Sequence, residues 1–367
     1  MPELIASDVT ARIPRVRERL SEHADALLVT RLVNIRYLTG FTGSAGLLLL
    51  LPDDVVFVTD GRYKEQSTEQ IGAAGIDARI EIGTTAAAQQ DALRTAATGI
   101  ARLALEAHDV TWAQQRAFAA DWFAGSELVP TENLVEDLRR VKDAGELARM
   151  AEAARIADHA LAVTRPLLAQ EPTEEDVAIA LDFAMRRGGA SGPSFPTIVG
   201  SGPNGAKPHA RPGSRRIRAG DLVVLDFGAV YDGYCSDMTR TVSIGEPRDD
   251  TVRRMVDVVS ESQRAGVAAV AAGVTAVAVD EACRRVIDAA GWGDAFIHGT
   301  GHGVGLEIHE APRVSFSSGD TLEVDQVVTV EPGVYLPDHG GVRIEDTVVV
   351  TAEGCTVLTH APKDLVV

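Results

Sequence analysis

Leu222-Val-Val-Leu-Asp226-Phe-Gly228 and Val327-Val-Thr-Val-Glu331-Pro-Gly333 share one form: an apolar run, an acid, one residue, a glycine. Downstream, Asp237-Met-Thr239 lines up with Glu345-Asp-Thr347. Each stretch therefore reads as an apolar strand ending in an acid, a turn, and a returning strand that carries a second acid. Two helical stretches precede each copy. Asp143, with Glu146 three positions on, has the pattern of a capping box, and its helix should stop before Pro166. Thr173 and Asp176 repeat that pattern ahead of Gly188-Gly189, a pair that suits a helix end. Residues 251–272 and 277–290 read as the helices of the second half. Helix, helix, sheet, twice over, predicts a pseudo-two-fold α+β domain with four converging carboxylates. A chance likeness of two hairpins is the alternative.

The first copy can be built in more detail. Asp232-Gly233 is a favoured two-residue hairpin turn. It sets Tyr231 opposite Tyr234 and Asp226 opposite Thr239, which puts Asp237 on the face of Asp226, roughly 5–8 Å away at Cβ. Like charges so close on an apolar strand are costly unless a cation lies between them. Glu331 and Glu345 sit in apolar runs that raise the same difficulty. His302, in His298-Gly-Thr-Gly-His302-Gly-Val-Gly305, adds an imidazole, and its glycines allow close approach. Four carboxylates balance two divalent cations, and two ions roughly 3.5–4 Å apart sharing a hydroxide make a ready nucleophile. Carboxylate-rich ligation with one imidazole and no thiolate favours manganese or cobalt over structural zinc. Alone, each residue would read as a turn aspartate or a hydrogen-bonded core histidine. Together, Asp226, Asp237, His302, Glu331 and Glu345 read as a dinuclear metal site. Cys235, on the same face by parity, reads as a small apolar filler.

The first third is different. Residues 26–30, 46–51 and 55–59 read as strands, with Pro52-Asp53-Asp54 turning between the last two. A helix over 62–71, strands over 78–82 and 103–105, and Ala-rich helices complete an α/β domain without a phosphate-binding glycine loop. The break is expected near 130–136, giving domains 1–133 and 134–367. Of 367 residues, 35 are Lys or Arg and 53 Asp or Glu, a formal net charge of −18. That balance argues against nucleic acid and anionic membranes as main partners. The longest strongly apolar stretch, residues 47–51, is far below the ~20 residues of a membrane span. Three cysteines give no disulfide framework, and residues 1–20 lack the apolar core of a targeting segment, so a cytoplasmic location is expected.

Several segments carry a family resemblance: Leu225-Asp-Phe-Gly-Ala229, Ser236-Asp-Met-Thr-Arg-Thr241, 298–305, Ile308-His-Glu-Ala-Pro312, Val330-Glu-Pro-Gly-Val-Tyr335 and Gly341-Val-Arg-Ile-Glu-Asp346. They resemble the pita-bread metallopeptidases, the group of aminopeptidase P, prolidase and methionine aminopeptidase. Asn34-Ile-Arg-Tyr-Leu-Thr-Gly-Phe-Thr-Gly-Ser44 and Thr59-Asp-Gly-Arg-Tyr63 resemble the creatinase-like N-terminal domain of aminopeptidase P and prolidase, which methionine aminopeptidases lack. The resemblance implies the same five metal ligands. It also implies cleavage of Xaa-Pro bonds by a metal-bridging hydroxide, in peptides with proline at the second position. Glu331, His309, His209 and Arg343 would then be catalytic, and His209, His298, His309 and Arg313 would bind substrate. Arg343 could equally orient a carboxylate ligand, His209 could be a plain loop residue, His298 could only pack the glycine loop, and Arg313 could be an ordinary surface arginine. Phe41-Thr-Gly-Ser44 looks more like aminopeptidase P than prolidase, the dipeptidase alternative. A homodimer is also implied. A non-catalytic binding protein and a creatinase-like, metal-independent hydrolase are the readings from other classes.

Overall fold

The computed structural model describes residues 4–363 and 366–367. Two compact units divide the chain, Ser7–Arg139 and Arg140–Val367, the second also taking residues 4–6.

The Ser7–Arg139 unit is built on a six-stranded mixed sheet. Leu47–Leu50 and Val55–Thr59 form the expected antiparallel hairpin around Pro52-Asp53, and Ala26–Val29 joins Leu47–Leu50 antiparallel. Arg102–Glu106 adds parallel to Ala26–Val29, and Arg79–Ile82 and Glu127–Thr131 form the two edges, each parallel to its neighbour. The break falls after Arg139 and not after residue 133. The reason is polar: Arg139 donates to Asn34 Oδ1 at 2.8 Å and Arg31 to Glu136 Oε1 at 2.9 Å. Helix Glu136–Arg139 is thereby held to the first unit. Phe41 is buried against the rings of Phe57 and Tyr63, and the Tyr63 hydroxyl meets Ser44 Oγ at 2.6 Å. Phe41 is thus part of the interior of this unit, while Thr42 and Ser44 stay exposed.

The Arg140–Val367 unit repeats helix, helix, sheet. Both capping boxes form, with Asp143 and Glu146 opening helix Ala144–Thr164, and Thr173 and Asp176 opening Glu174–Arg187. These helices bury Ile156, Leu161, Val177 and Leu181 against Val223, Leu225 and Phe227 of strand Leu222–Phe227. Helices Asp250–Ala269 and Ala276–Ala289 bury Met255, Val259, Val279 and Ile287 with Val328, Val330 and Val348. The two halves therefore have separate apolar cores, each on the far side of its sheet from the acids. No helix among the described residues is long and apolar enough to cross a membrane.

The hairpin register is the expected one. Tyr231 pairs with Tyr234 and Asp226 with Thr239. Gly228 lies across from the Asp237 region, where a Cβ would stand 1.9 Å from Ser236 O, so only glycine lets the strands close there. In the second half Thr329, not Glu331, pairs with Thr347. The two hairpins therefore differ by two residues in register. An even shift keeps every acid on its face, so the halves agree in what they present and differ in how far their strands slide.

Candidate active site

Strand ends supply the acids. Asp226 lies in Leu222–Phe227, and Asp237 directly precedes Met238–Ser243. Glu331 follows Val327–Val330, and Glu345 stands between Gly340–Arg343 and Asp346–Val350. Backbone bonds fix the two irregular positions: Glu331 N–H donates to Thr300 O at 2.7 Å and Glu345 N–H to Thr239 O at 3.1 Å. His302 is brought in by strand Gly301–Gly303. Gly301 allows that approach, since a Cβ there would be 2.0 Å from Thr329 O.

All ten residues singled out in the sequence line one cavity of ≈ 1130 Å³: Asp226, Asp237, His302, Glu331, Glu345, His209, His298, His309, Arg313 and Arg343. Its depth is acidic. Asp237, His302 and Glu345 each place one ligand-type atom within 4.8 Å of the others. His302 Nε2 is 3.5 Å from Asp237 Oδ2 and 3.5 Å from Glu331 Oε1. Its other nitrogen, Nδ1, faces Gly303 O at 2.9 Å, and a carbonyl only accepts, so Nδ1 carries the hydrogen and Nε2 presents a lone pair. Burial pulls this imidazole down to about 4, so it is neutral at ordinary pH. A lone pair facing two carboxylates is repulsive unless a cation stands between them.

Two further observations fit a divalent cation. Among the described residues, Asp226 Oδ1 and Glu345 Oε1 are buried with no hydrogen-bond partner, as metal-facing oxygens would be. The acids also resist ionising together. Burial, then the charges of Asp226 and Glu331, push Asp237 well up, and burial, then Asp237, Glu331 and Asp226, does the same to Glu345. Burial raises Glu331 to about 8 against the pull of Arg343. Four acids, one neutral imidazole and two orphaned oxygens suit hard, oxygen-seeking ions.

One cation of the chain is built into this acidic wall. The Arg343 guanidinium, 3% exposed with its residue, donates through Nη2 to Asp226 Oδ2 at 2.5 Å, Nη1 to the Tyr335 hydroxyl at 2.7 Å and Nε to Thr239 Oγ1 at 3.1 Å. Thr239 Oγ1 in turn donates to Glu345 Oε2 at 2.8 Å. One planar fork thus orients two of the four acids. Burial would lower this guanidinium, but Tyr335, Asp226 and Glu331 hold it well above its usual value.

His298 belongs to the same network. Its Nδ1 meets Gly299 O at 2.8 Å and so carries the hydrogen, which leaves Nε2 to accept from the Tyr335 hydroxyl at 2.9 Å. Burial pulls His298 down to about 4 and pushes Tyr335 up to about 12. His309 is exposed in the bend before strand Glu310–Val314, and its ring stands edge-on to that of His302 with centroids 4.4 Å apart. His209 and Arg313 stand on the cavity wall. Tyr335 and Thr239 join the site through this network. The hairpin register places Thr239 opposite Asp226, and Tyr335 ends the Val330–Tyr335 segment of the family resemblance, but its contacts are not local, because its partners arrive from strand Gly340–Arg343 and from residue 298. Cys235 packs with Met150 and Val304 in an apolar cluster, away from the cavity.

A pH dependence follows for the metal-free protein. A carboxyl raised on folding keeps its full stabilising contribution below its unfolded pKa and loses it as pH rises through the folded one. With Glu331 at about 8 and Asp237 and Glu345 also raised, thermal stability without metal should fall as pH climbs from about 4.5 to 8. Added Mn²⁺ should raise the melting temperature more at pH 8 than at pH 5.5, because protons compete for the ligands. Scanning calorimetry with chelator and with Mn²⁺ checks this; a metal-free melting temperature that rises over that range would contradict it.

Comparison with known proteins bears on the same residues. Residues 148–352 match the metallopeptidase family M24 and residues 12–141 the creatinase/prolidase N-terminal domain. An Xaa-Pro dipeptidase structure from Bacillus anthracis is 40% identical, with a TM-score of 0.92, covering 98% of this chain and 100% of that one. An X-Pro aminopeptidase structure from Thermotoga maritima is 34% identical, with a TM-score of 0.88, covering 96% and 100%. The uncharacterized peptidase YqhT of Bacillus subtilis is 43% identical over 94% of this chain and 96% of its own length. The two family matches fall one on each unit of the chain, the M24 match takes in all five acid and imidazole positions of the cavity floor, and this chain belongs to metallopeptidase family M24.

Proposed function

We propose that this chain is a metal-dependent Xaa-Pro peptidase that hydrolyses the bond between an N-terminal residue and proline, with Xaa-Pro dipeptides as preferred substrates. The observation that carries this reading is four acids and one neutral imidazole gathered in one cavity, whose exposed lining includes Arg211 and Arg313. Acids inside and cations outside suit a short peptide that has a free amine at one end and a carboxylate close to it at the other. The 40% identical Xaa-Pro dipeptidase supports the dipeptide preference. The aminopeptidase reading has the cavity volume in its favour, since ≈ 1130 Å³ exceeds the room a dipeptide fills. Segment 41–44 does not separate the two, because Phe41 packs inside the first unit.

Asp226, Asp237, His302, Glu331 and Glu345 would hold two divalent cations, manganese ahead of cobalt or zinc, matching four negative charges with four positive. When bound, such ions polarise the scissile carbonyl and lower the pKa of the attacking water. Glu331 takes a proton from that water and returns it toward the proline nitrogen. That nitrogen is a tertiary amide without a hydrogen and must be protonated to leave. His209 and His309, on the wall, hydrogen-bond the substrate and the developing oxyanion. Arg343 holds Asp226 in place throughout. A chain with only three cysteines, Cys235 and Cys283 of them buried, accords with work in a reducing cytoplasm.

Hydrolysis of Xaa-Pro and of Xaa-Pro-Yaa-Zaa, each with Mn²⁺ and with chelator, tests the reading. Xaa-Pro should show the higher kcat/KM, and chelation should abolish both rates. No release of the N-terminal residue from either peptide with Mn²⁺ present would reject the proposal. Chelator-resistant hydrolysis would point to a creatinase-like reaction instead.

A further inference from the structure

Glu174 is the first residue of helix Glu174–Arg187, a position that normally faces water, yet it is 0% exposed. Among the described residues its carboxylate meets uncharged donors only. Oε1 accepts from Ser201 N–H at 2.8 Å, Ser201 Oγ at 2.7 Å and Asn204 Nδ2 at 3.1 Å, and Oε2 accepts from Asn204 Nδ2 at 3.1 Å and Gly213 N–H at 3.3 Å. Burying a carboxylate without a cation is costly, and these bonds offset that cost.

Their placement is specific. Ser201 and Asn204 enter the loop 202–213 and Gly213 leaves it, so one side chain ties both ends. The helix start adds backbone bonds on the leaving side, from Glu174 N–H to Arg215 O at 3.0 Å and Glu175 N–H to Gly213 O at 3.1 Å. Arg215 donates to the Ser201 hydroxyl and to Asp221, which orients that hydroxyl toward Glu174. Between the ties, Pro208, His209, Ala210, Arg211 and Pro212 run consecutively along the cavity wall. Pro208 O also accepts from Arg343 Nη1 at 3.3 Å.

We propose that Glu174 is a positioning residue for peptide hydrolysis: it closes the loop 202–213 at both ends and so sets where His209 and Arg211 stand in the cavity. The inference rests on the Xaa-Pro peptidase reading for its kinetic part only. Glutamine is the diagnostic replacement. It has nearly the same shape, but its NH₂ group meets donors where a carboxylate oxygen accepted, so about half the ties are lost.

Two measurements on the full chain test this. In metal-free protein, amide hydrogen exchange across 202–213 should quicken about tenfold in Glu174→Gln while exchange across 222–243 stays as in wild type. With Mn²⁺ and Xaa-Pro, Glu174→Gln should lower kcat/KM about tenfold, mainly through KM, with unchanged Mn²⁺ affinity. In a His209→Ala/Arg211→Ala background the same change should lower it less than about twofold, since residues acting through one loop are coupled. Unchanged loop exchange, altered Mn²⁺ affinity, or a full tenfold loss persisting in the double-alanine background would each overturn the proposal. Should Glu174→Gln fail to fold, Asn204→Ala removes two of the five bonds from the other side and carries the same comparison. If wild type hydrolyses no Xaa-Pro peptide, the peptidase reading fails while the exchange measurement still decides whether Glu174 closes the loop.

Discussion

Replacing Glu331 by Gln is expected to lower kcat/KM on Xaa-Pro by about 10³-fold, within the 10²–10⁴ range of a positioned acid–base group. On the reading proposed above, Glu331 both takes the proton from the attacking water and returns it toward the proline nitrogen. Its Oε1 is 3.5 Å from His302 Nε2 and accepts from Thr329 Oγ1 at 3.3 Å, and its side chain lines the cavity. Glutamine keeps the shape but cannot carry a proton back and forth. The same substitution should stabilise the metal-free protein at pH 8. Burial holds Glu331 at about 8 beside Asp226, and Gln removes a charge that the fold resists. Activity and stability thus move in opposite directions, as expected at a site whose strain serves its chemistry. A Glu331→Gln protein that keeps more than a tenth of wild-type kcat/KM would remove Glu331 from the proton path. One that melts lower without metal would show that the acids are not crowded.

Arg343 should produce the largest loss of stability. Its fork reaches Asp226, the Tyr335 hydroxyl, Thr239 and the Pro208 carbonyl from a fully interior position. Removing one partner of a buried ion pair typically costs about 3–5 kcal/mol, because the other charge stays buried and unpaired. Arg343→Leu should therefore melt several degrees lower than wild type when metal-free, and lose metal affinity about 10–100-fold through a misdirected Asp226. Arg343→Lys should recover little of either, since one ammonium cannot span groups arranged around a planar fork. Calorimetry and Mn²⁺ titration read both effects. A Lys variant indistinguishable from wild type would mean that Arg343 supplies charge and not orientation.

Much of this site is legible in the chain because strand geometry is short-ranged. Asp232-Gly233 sets the hairpin register, and with it the facing of Asp226, Asp237 and Thr239, all within residues 226–239. The acids also betray themselves by context: a carboxylate in an apolar run needs a partner, and four of them with one imidazole suggest cations. The capping boxes at Asp143 and Thr173 are equally local, and both form. The domain break was less legible. It depends on where Arg139 and Glu136 find hydrogen-bond partners, and those lie about a hundred residues upstream, at Asn34 and Arg31.

Sequence alone determined which residues are acids, which strand face they occupy and which helices precede them, since alternation, turn type and capping act over a few residues. Tertiary structure alone decided that Arg343 grips Asp226 from 117 positions away, that Tyr335 bridges Arg343 and His298, and that Glu174 ties the ends of the 202–213 loop. Those contacts join separate strands and loops. Their geometry depends on how sheets stack and slide, as the two-residue difference between the hairpins shows, and no local pattern encodes that.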